Sequence, residues 1–415
     1  MRQPFDTVSD VVAWRLCLGC GACVSVCPEE ALTLVDVEGD GLRPTRDAAR
    51  CARCGTCLAV CPGAAIDGAP AHALALDSLR QAWGNVLEVW EGYATDPEIR
   101  YLGSSGGIAT ALSLFALEKQ GSPGVLHIGS KPGHPLDNSP FVSRNRDELL
   151  VRTGSRYAPA APCSGLGTID RDGEASVFVG KPCDVVALRK CQALGDGQGR
   201  SIRLAISIFC AGTPSTQGTR TILAQLGVRP EEVTEFRYRG CGWPGRTVAR
   251  TSSRSDAECS MSYEQSWGDI LSKHTQFRCR LCPDSTGELA DISCGDPWYR
   301  KAEPDDAGRS LVLVRTETGR QALHEAMKAG YVTLEKVSAD TLPMSQASLL
   351  RRRAHLWGRL AALRVLGAAV PAYRGFSLFA NWRALPATEK MRSLLGTARR
   401  TVQRKWYRRE REGRQ

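Results

Sequence analysis

The chain has few of the residues on which most enzymes build their sites. Its 415 residues include only six histidines, at His72, His127, His134, His274, His324 and His355, and they form no ligand pattern. Each reads as an ordinary surface or core residue. His274 is the exception, because it lies near a Cys-x2-Cys pair and is placed to donate a hydrogen bond or a proton there. No run of about 18 apolar residues occurs, which argues against a membrane-spanning helix. The stretch Met1 to Trp14 lacks the apolar core of a secretory signal, so a cytoplasmic, reducing location is expected. There is no Walker A loop, no dinucleotide GxGxxG, and no paired carboxylate or Ser-His-Asp set to suggest hydrolysis.

Cysteine, by contrast, is abundant, with 17 in the chain. Eight fall in two runs, CLGCGACVSVCP from Cys17 and CARCGTCLAVCP from Cys51, each spaced Cys-x2-Cys-x2-Cys-x3-Cys-Pro. This is the spacing that holds paired [4Fe–4S] clusters. Three closely spaced thiolates wrap three corners of one cube, and the fourth cysteine of each run reaches the other cluster. The crossed pattern assigns Cys17, Cys20, Cys23 and Cys61 to one cluster and Cys51, Cys54, Cys57 and Cys27 to the other. Gly19, Gly21 and Gly55 relieve backbone crowding so that amides point at sulfur. Pro28 and Pro62 stop the short helices. Structural zinc sites rarely repeat such a run twice. The region resembles a bacterial-type ferredoxin over about residues 10–70.

Charge is unevenly placed. Residues 351–415 hold 17 Lys+Arg against 3 Asp+Glu, a net of +14, whereas residues 1–350 carry −4. Leucines and aromatics alternate with the arginines, as in RRRAHLWGRLAALRVLGAAV. This composition suits a solvated helical extension, or a helix resting on an anionic membrane at the inner face or docking an acidic partner. No nucleic-acid-binding motif accompanies the charge, and no nucleic-acid partner is expected.

Between these regions the pattern is α/β. Apolar runs at Ser176–Val179 and Leu204–Phe209 read as strands, and Asp184–Leu194, ended by Gly195, reads as the helix that crosses between them. Parallel neighbours joined this way bring Cys183 and Cys210 to one sheet edge, where ligands bind in such folds. Further on, Cys279 and Cys282 form CRLC. Joined to Cys183 and Cys210 they make a four-thiolate set for a third cluster, with Cys241 and Cys294 as substitute ligands. The competing reading is that Cys183 and Cys210 are small buried residues. Asp291 and Asp296, flanking Cys294, either position a substrate or satisfy turn amides. Ser104, Ser105, Gly106 and Gly107 precede the apolar helix IATALSLFALEKQG. The loop is either an anion site at a helix start or a serine cap.

The ordered motifs GSSGGIATAL, GSRYAP, VGKPCDVVALRK, FCAGTPS and SWGDILSKHTQFRCRLCPDSTGELADISCGDPW are similar to those of the beta subunits of coenzyme F420 hydrogenases and dehydrogenases. The likeness spans about residues 88–340. It implies an FAD-containing core beside a third [4Fe–4S] cluster, exchanging a hydride with coenzyme F420 or a related organic substrate while clusters pass single electrons. It also implies Ser104, Ser105, Gly106, Gly107, Arg156, Tyr157 and Lys181 as flavin contacts, and Cys183, Cys210, Cys279 and Cys282 as cluster ligands. The family includes chlorophyll-pathway reductases, from which the two full ferredoxin runs set this chain apart. The basic tail lies outside the common core. The expected organisation is a ferredoxin domain at 8–70, a flavoprotein core with an N-terminal part at 88–195 and a C-terminal part at 200–345, and a helical tail at 350–415. The expected partners are a redox protein or complex and a small hydride donor or acceptor. The alternative is a non-catalytic electron-transfer or docking subunit of a larger redox complex.

Overall fold

The computed structural model describes residues 5–410 apart from 172, 174, 196, 197 and 304, and the backbone alone at 254–258. The last five residues of the tail lie outside this description.

An eight-stranded sheet organises the middle of the chain. Its order is Val332–Lys336, Glu88–Ala94, Ser310–Val314, Ile292–Gly295, Ile202–Ile208, Ser176–Gly180, Val125–Lys131 and His134–Ser143. The four strands from Ile292–Gly295 to Val125–Lys131 run parallel, and antiparallel strands flank them on both sides. The inner strands are buried on both faces, as their continuous Val, Ile and Leu content requires. The expected crossover is present: Ser176–Gly180 pairs in parallel with Ile202–Ile208, and the connecting helix is Pro182–Gln192. Helix Ile108–Lys119 has no polar side and sits inside, with Ile108, Leu112 and Phe115 packed among Ala94, Val125 and Val177. A three-stranded antiparallel sheet, Val233–Arg237, Thr247–Thr251 and Arg254–Met261, stands apart.

The ferredoxin-like segment has two four-residue helices, Ala22–Ser25 and Thr56–Ala59, each ending before its Cys-Pro. A hairpin, Leu32–Val37 with Gly41–Arg46, lies between them. This segment is not an independent bead. Cys20, Ala22 and Val60 share one buried cluster with Leu126, Phe178, Val185 and Leu188 of the α/β core.

The tail departs most from expectation. It folds into helices Ala347–Ala354, Leu356–Val365, Leu378–Arg383 and Ala387–Gln403. Leu356, Leu360 and Leu363 do not face solvent or a membrane, because they pack on Phe5, Val11, Leu16, Ala64 and Leu281. Strand Ala372–Arg374 pairs in parallel with Ala65–Asp67. Arg353 forms a buried ion pair with Glu288, and Arg15 pairs with Glu410 at 2.7 Å. The tail is therefore a strap across the ferredoxin-like segment: Leu356, Leu360 and Leu363 are spent on that contact, while Val365, Phe379, Met391, Leu395 and Val402 stay exposed. Among the described residues no helix is long and apolar enough to cross a membrane.

Candidate redox centres and the cleft beside them

The two cysteine runs interleave as the crossed pattern requires. Cys17, Cys20, Cys23 and Cys61 line one void, and Cys27, Cys51, Cys54 and Cys57 line another. Among the described residues no three His, Cys, Asp or Glu side chains converge where a single ion would sit. Four thiols spaced around the wall of a void suit a cube whose irons occupy separate corners. Local chemistry fits too: the Gly19 amide donates to Cys17 Sγ at 3.4 Å, and the Ala31 amide to Cys27 Sγ at 3.3 Å. Gly21 holds φ at 87°, and a Cβ there would lie 2.8 Å from the Ser164 amide nitrogen, so this turn admits only glycine. The first void is interior and the second superficial, since Cys17 and Cys20 are buried while Cys54 is exposed.

The topology also gathers Cys183, Cys210, Cys279 and Cys282. Cys183 and Cys279 share one small buried cluster with Leu18, and the fields of Cys210 and Cys282 both act on Cys183. Burial, then the neighbouring Cys279, pushes Cys210 up to about 12, and burial likewise takes Cys282 up to about 11. Such thiols keep their protons until a metal displaces them, as expected of a site completed by binding. Cys241 and Cys294 are elsewhere. Cys241 Sγ accepts from Arg237 Nη1 at 2.8 Å, and Cys294 is raised by burial alone, with no thiol acting on it. Cys183 and Cys210 are thus neighbours within one group of four thiols.

Arg278 joins this set to the interior ferredoxin void. It is fully buried, donates to the Pro62 carbonyl at 2.9 Å, and carries its charge beside Cys282, Cys279 and Cys183. His274 turns away from these thiols: its Nε2 lies 3.5 Å from Thr221 Oγ1 and its Cβ packs over Gly218. Its expected part near CRLC is therefore not supported.

A cleft with a cavity volume of about 230 Å³ opens at the carboxyl edge of the sheet, lined by Ser104, Ser105, Gly107, Arg156, Tyr157 and Lys181 among others. The helix Ile108–Lys119 starts here at Gly107, whose φ is 76° and which offers no side-chain cap. The serines do not cap it. Ser104 Oγ accepts from the Ser155 amide at 2.6 Å, and Ser105 Oγ donates to the Arg309 carbonyl at 2.6 Å. The first-turn residues Ile108, Ala109 and Thr110 face the cleft, with amides that have no carbonyl a turn earlier. Gly106 is not in the cleft wall; its amide donates to Ser310 Oγ, and a Cβ would meet the Gly92 carbonyl at 2.6 Å. Arg156 borders the cleft but spends its guanidinium on Asn138 Oδ1 and the carbonyls of Phe236 and Pro135, at 2.7 to 2.8 Å.

Lys181 has a different environment. Burial opposes its charge, but Asp184, whose Oδ2 accepts from Lys181 Nζ at 2.6 Å, together with the thiols of Cys183 and Cys210, holds it well above the usual lysine range. Asp184 Oδ1 is buried without a hydrogen-bond partner among the described residues. A second cavity of about 340 Å³ shares Ser155, Arg156, Tyr157, Lys181 and Phe209 with the first. Cys210, Tyr263 and Trp298 complete its wall.

The sequence reading missed Arg239. Only 2% exposed, it lines the cleft and grips Asp296 with two bonds of 2.8 and 2.6 Å, while Trp243 Nε1 donates to the same carboxylate at 2.8 Å. Asp296 is thus a braced wall residue. Asp291 is structural, accepting from Arg189, Ala205 and Thr316 at 2.8 to 2.9 Å. Cys163, also missed, is fully buried and shares a cluster with Cys20. A lone arginine or cysteine carries no spacing signal that would have flagged either.

Comparison with known proteins agrees with this geometry. The family model for the C terminus of the coenzyme F420 hydrogenase/dehydrogenase beta subunit matches residues 173–340, the model for its N-terminal part matches 89–166, and a 4Fe-4S dicluster domain matches 16–65. Coenzyme F420 hydrogenase subunit beta of Methanococcus voltae is 27% identical over 296 residues, covering 70% of this chain and 99% of the relative. F420-dependent formate dehydrogenase 1 subunit beta of Methanococcus maripaludis is 28% identical over 250 residues, covering 59% of this chain and 60% of the relative. Among solved structures, a chain of the F420-reducing [NiFe] hydrogenase complex from Methanosarcina barkeri matches with a TM-score of 0.54 at 20% identity, covering 71% of this chain and 97% of that one. At that identity the likeness is one of fold.

Proposed function

This chain belongs to the coenzyme F420 hydrogenase/dehydrogenase beta-subunit family and carries a 4Fe-4S dicluster domain, and from that premise we propose that it is an FAD-dependent iron–sulfur oxidoreductase with coenzyme F420 or a related organic hydride carrier as substrate. Its relatives are named as subunits of F420-dependent hydrogenase and formate dehydrogenase, which supports a redox partner complex as the other end of the electron path.

The observation that carries the reading is shared walls. Lys181 and Phe209 border both the cleft at the Gly-Ser loop and the cavity that reaches Cys210. A group bound at the loop therefore lies one wall away from the third thiol set. Bound flavin supplies the exchange between a hydride and single electrons. The protein's own part is to bind and orient it. The free amides of Ile108, Ala109 and Thr110, with the helix dipole behind them, suit an anionic phosphate. Lys181 adds a fixed positive charge, and Asp184 keeps that ammonium in place. Arg239 and Trp243 hold Asp296 rigid in the opposite wall. Tyr263 and Trp298, stacked with ring centroids 5.3 Å apart, give the second cavity a flat apolar side suited to a planar organic ring.

Cys183, Cys210, Cys279 and Cys282 would hold the third [4Fe–4S] cluster, with the two ferredoxin sets outward of it. A purely docking subunit has no use for two joined cavities at the carboxyl edge of its sheet. Anaerobic reconstitution, flavin extraction, iron counting and an assay for bleaching of the deazaflavin absorbance test the proposal. Folded, iron-replete protein that retains no flavin would sink the catalytic part.

A further inference from the structure

A further cavity lies away from the cleft, where the tail helices meet the segment leading into CRLC. We propose that it binds a small polyanion carrying two or more phosphate or carboxylate groups.

The cavity measures about 700 Å³. Its wall contains Lys273 and Arg280 from the core and Arg352, Arg359 and Arg400 from the tail, with no aspartate or glutamate. Glu389, which reaches Arg351 and His355 of the wall, is taken by them at 2.7 Å each. Arg392 shares Glu389 at 3.8 Å, whereas Arg280, Arg352, Arg359 and Arg400 find only uncharged oxygens. Arg280 donates to the Lys273 carbonyl at 3.3 Å, Arg352 to the Ala211 carbonyl at 2.6 Å, Arg359 to the Arg280 carbonyl at 3.0 Å, and Arg400 to Thr397 Oγ1 at 3.4 Å. Burial and the charges of Arg352, Arg400 and Arg280 push Arg359 down to about 10.

Gathering like charges in a concavity without counter-charge costs free energy, and a concave wall focuses the resulting field on an incoming anion. Guanidinium forks match phosphate and carboxylate oxygens. One monovalent ion leaves most of these cations uncompensated, so the geometry selects a multiply charged ligand. The cations come from both sides of the contact between tail and core, so the ligand would also tie the strap down. The inference stands on this cavity alone and does not depend on what occupies the cleft.

The test is calorimetric titration of the full-length, anaerobically reconstituted protein with fructose 1,6-bisphosphate and, separately, tricarballylate, at constant ionic strength. Saturable binding of either is expected, and the tighter of the two assigns phosphate or carboxylate chemistry. Arg359→Gln with Arg400→Gln should weaken it at least about tenfold, while Arg359→Lys with Arg400→Lys retains part of it. Iron content of all variants should equal that of the parent, which reports folding. Heats matched by sodium chloride alone, or undiminished binding in the glutamine variant, would overturn the proposal. So would failure of both small anions to bind, even where an acidic protein does.

Discussion

Leu18 packs against Cys183 in a small buried cluster that also includes Cys279. Leu18 lies within the first ferredoxin run, between Cys17 and Cys20, so one buried leucine links the interior ferredoxin set to the third set. Clusters held this close interact magnetically. Electron paramagnetic resonance of the fully reduced protein should show broadened, spin-coupled signals. Cys279→Ser should remove the part of the coupling that the third cluster contributes and leave that between the two ferredoxin clusters; a variant spectrum coupled identically to the parent's contradicts the assignment.

Iron content separates the ligands from the bystanders. Cys183→Ser, Cys210→Ser or Cys282→Ser should lower iron from about 12 to about 8 atoms per chain, the loss of one four-iron cluster. Cys241→Ala and Cys294→Ala should leave it unchanged.

If the cleft holds flavin as proposed, its retention should depend on the backbone at Gly107. Its φ is 76° and an added Cβ would lie 2.7 Å from the Ile99 carbonyl, so Gly107→Ala must shift the helix start. Affinity for FAD should fall at least about tenfold while iron is retained, measured by fluorescence of released flavin. Equal flavin content in parent and variant counts against the loop as the binding site.

Arg353 and Glu288 form a pair whose side chains are 8% and 3% exposed. Arg353→Ala leaves the carboxylate buried and unpaired, which typically costs about 3–5 kcal/mol. Adding Glu288→Gln should recover much of that loss in the anaerobic melting temperature. A single variant that melts like the parent means the pair does not hold the strap.

Acid sensitivity has one identifiable source in the cleft wall. Burial, with the charge of Arg152 alongside, pushes His127 down to about 4 from 6.5. The unfolded chain therefore takes up a proton in that window which the folded chain refuses, and stability falls as pH drops from 6.5 towards 4. The full effect is on the order of 3 kcal/mol. His127→Asn should be less sensitive than the parent between pH 7 and 5 in paired thermal melts; parallel pH profiles would refute it.

What was legible in the sequence was local. The cysteine runs announce their clusters because ligand spacing is a short-range property, and Ser176–Gly180 with its helix and partner strand follows from apolar runs of ordinary length. The gathering of Cys183 with Cys210 came from topology, since parallel strands end on one edge. The buried arginines resist such reading. Arg239, Arg278 and Arg315 satisfy themselves on groups distant in sequence, as where Arg315 Nη1 donates to the Trp83 carbonyl at 2.7 Å, and a charged residue reads as surface until its partners are known. What the tail packs on was not legible for a related reason. Its amphipathic pattern specifies that one face is covered, but not by what.

The pairing of Ala372–Arg374 with Ala65–Asp67 has a consequence for how the protein is made. Translation proceeds from the amino terminus, so all twelve candidate cluster cysteines, the last of them Cys282, emerge before the strand that locks over the ferredoxin-like segment. During that interval the strand edge at Ala65–Asp67 lacks the partner it has in the finished fold. The strap is thus laid down after the cysteines it covers.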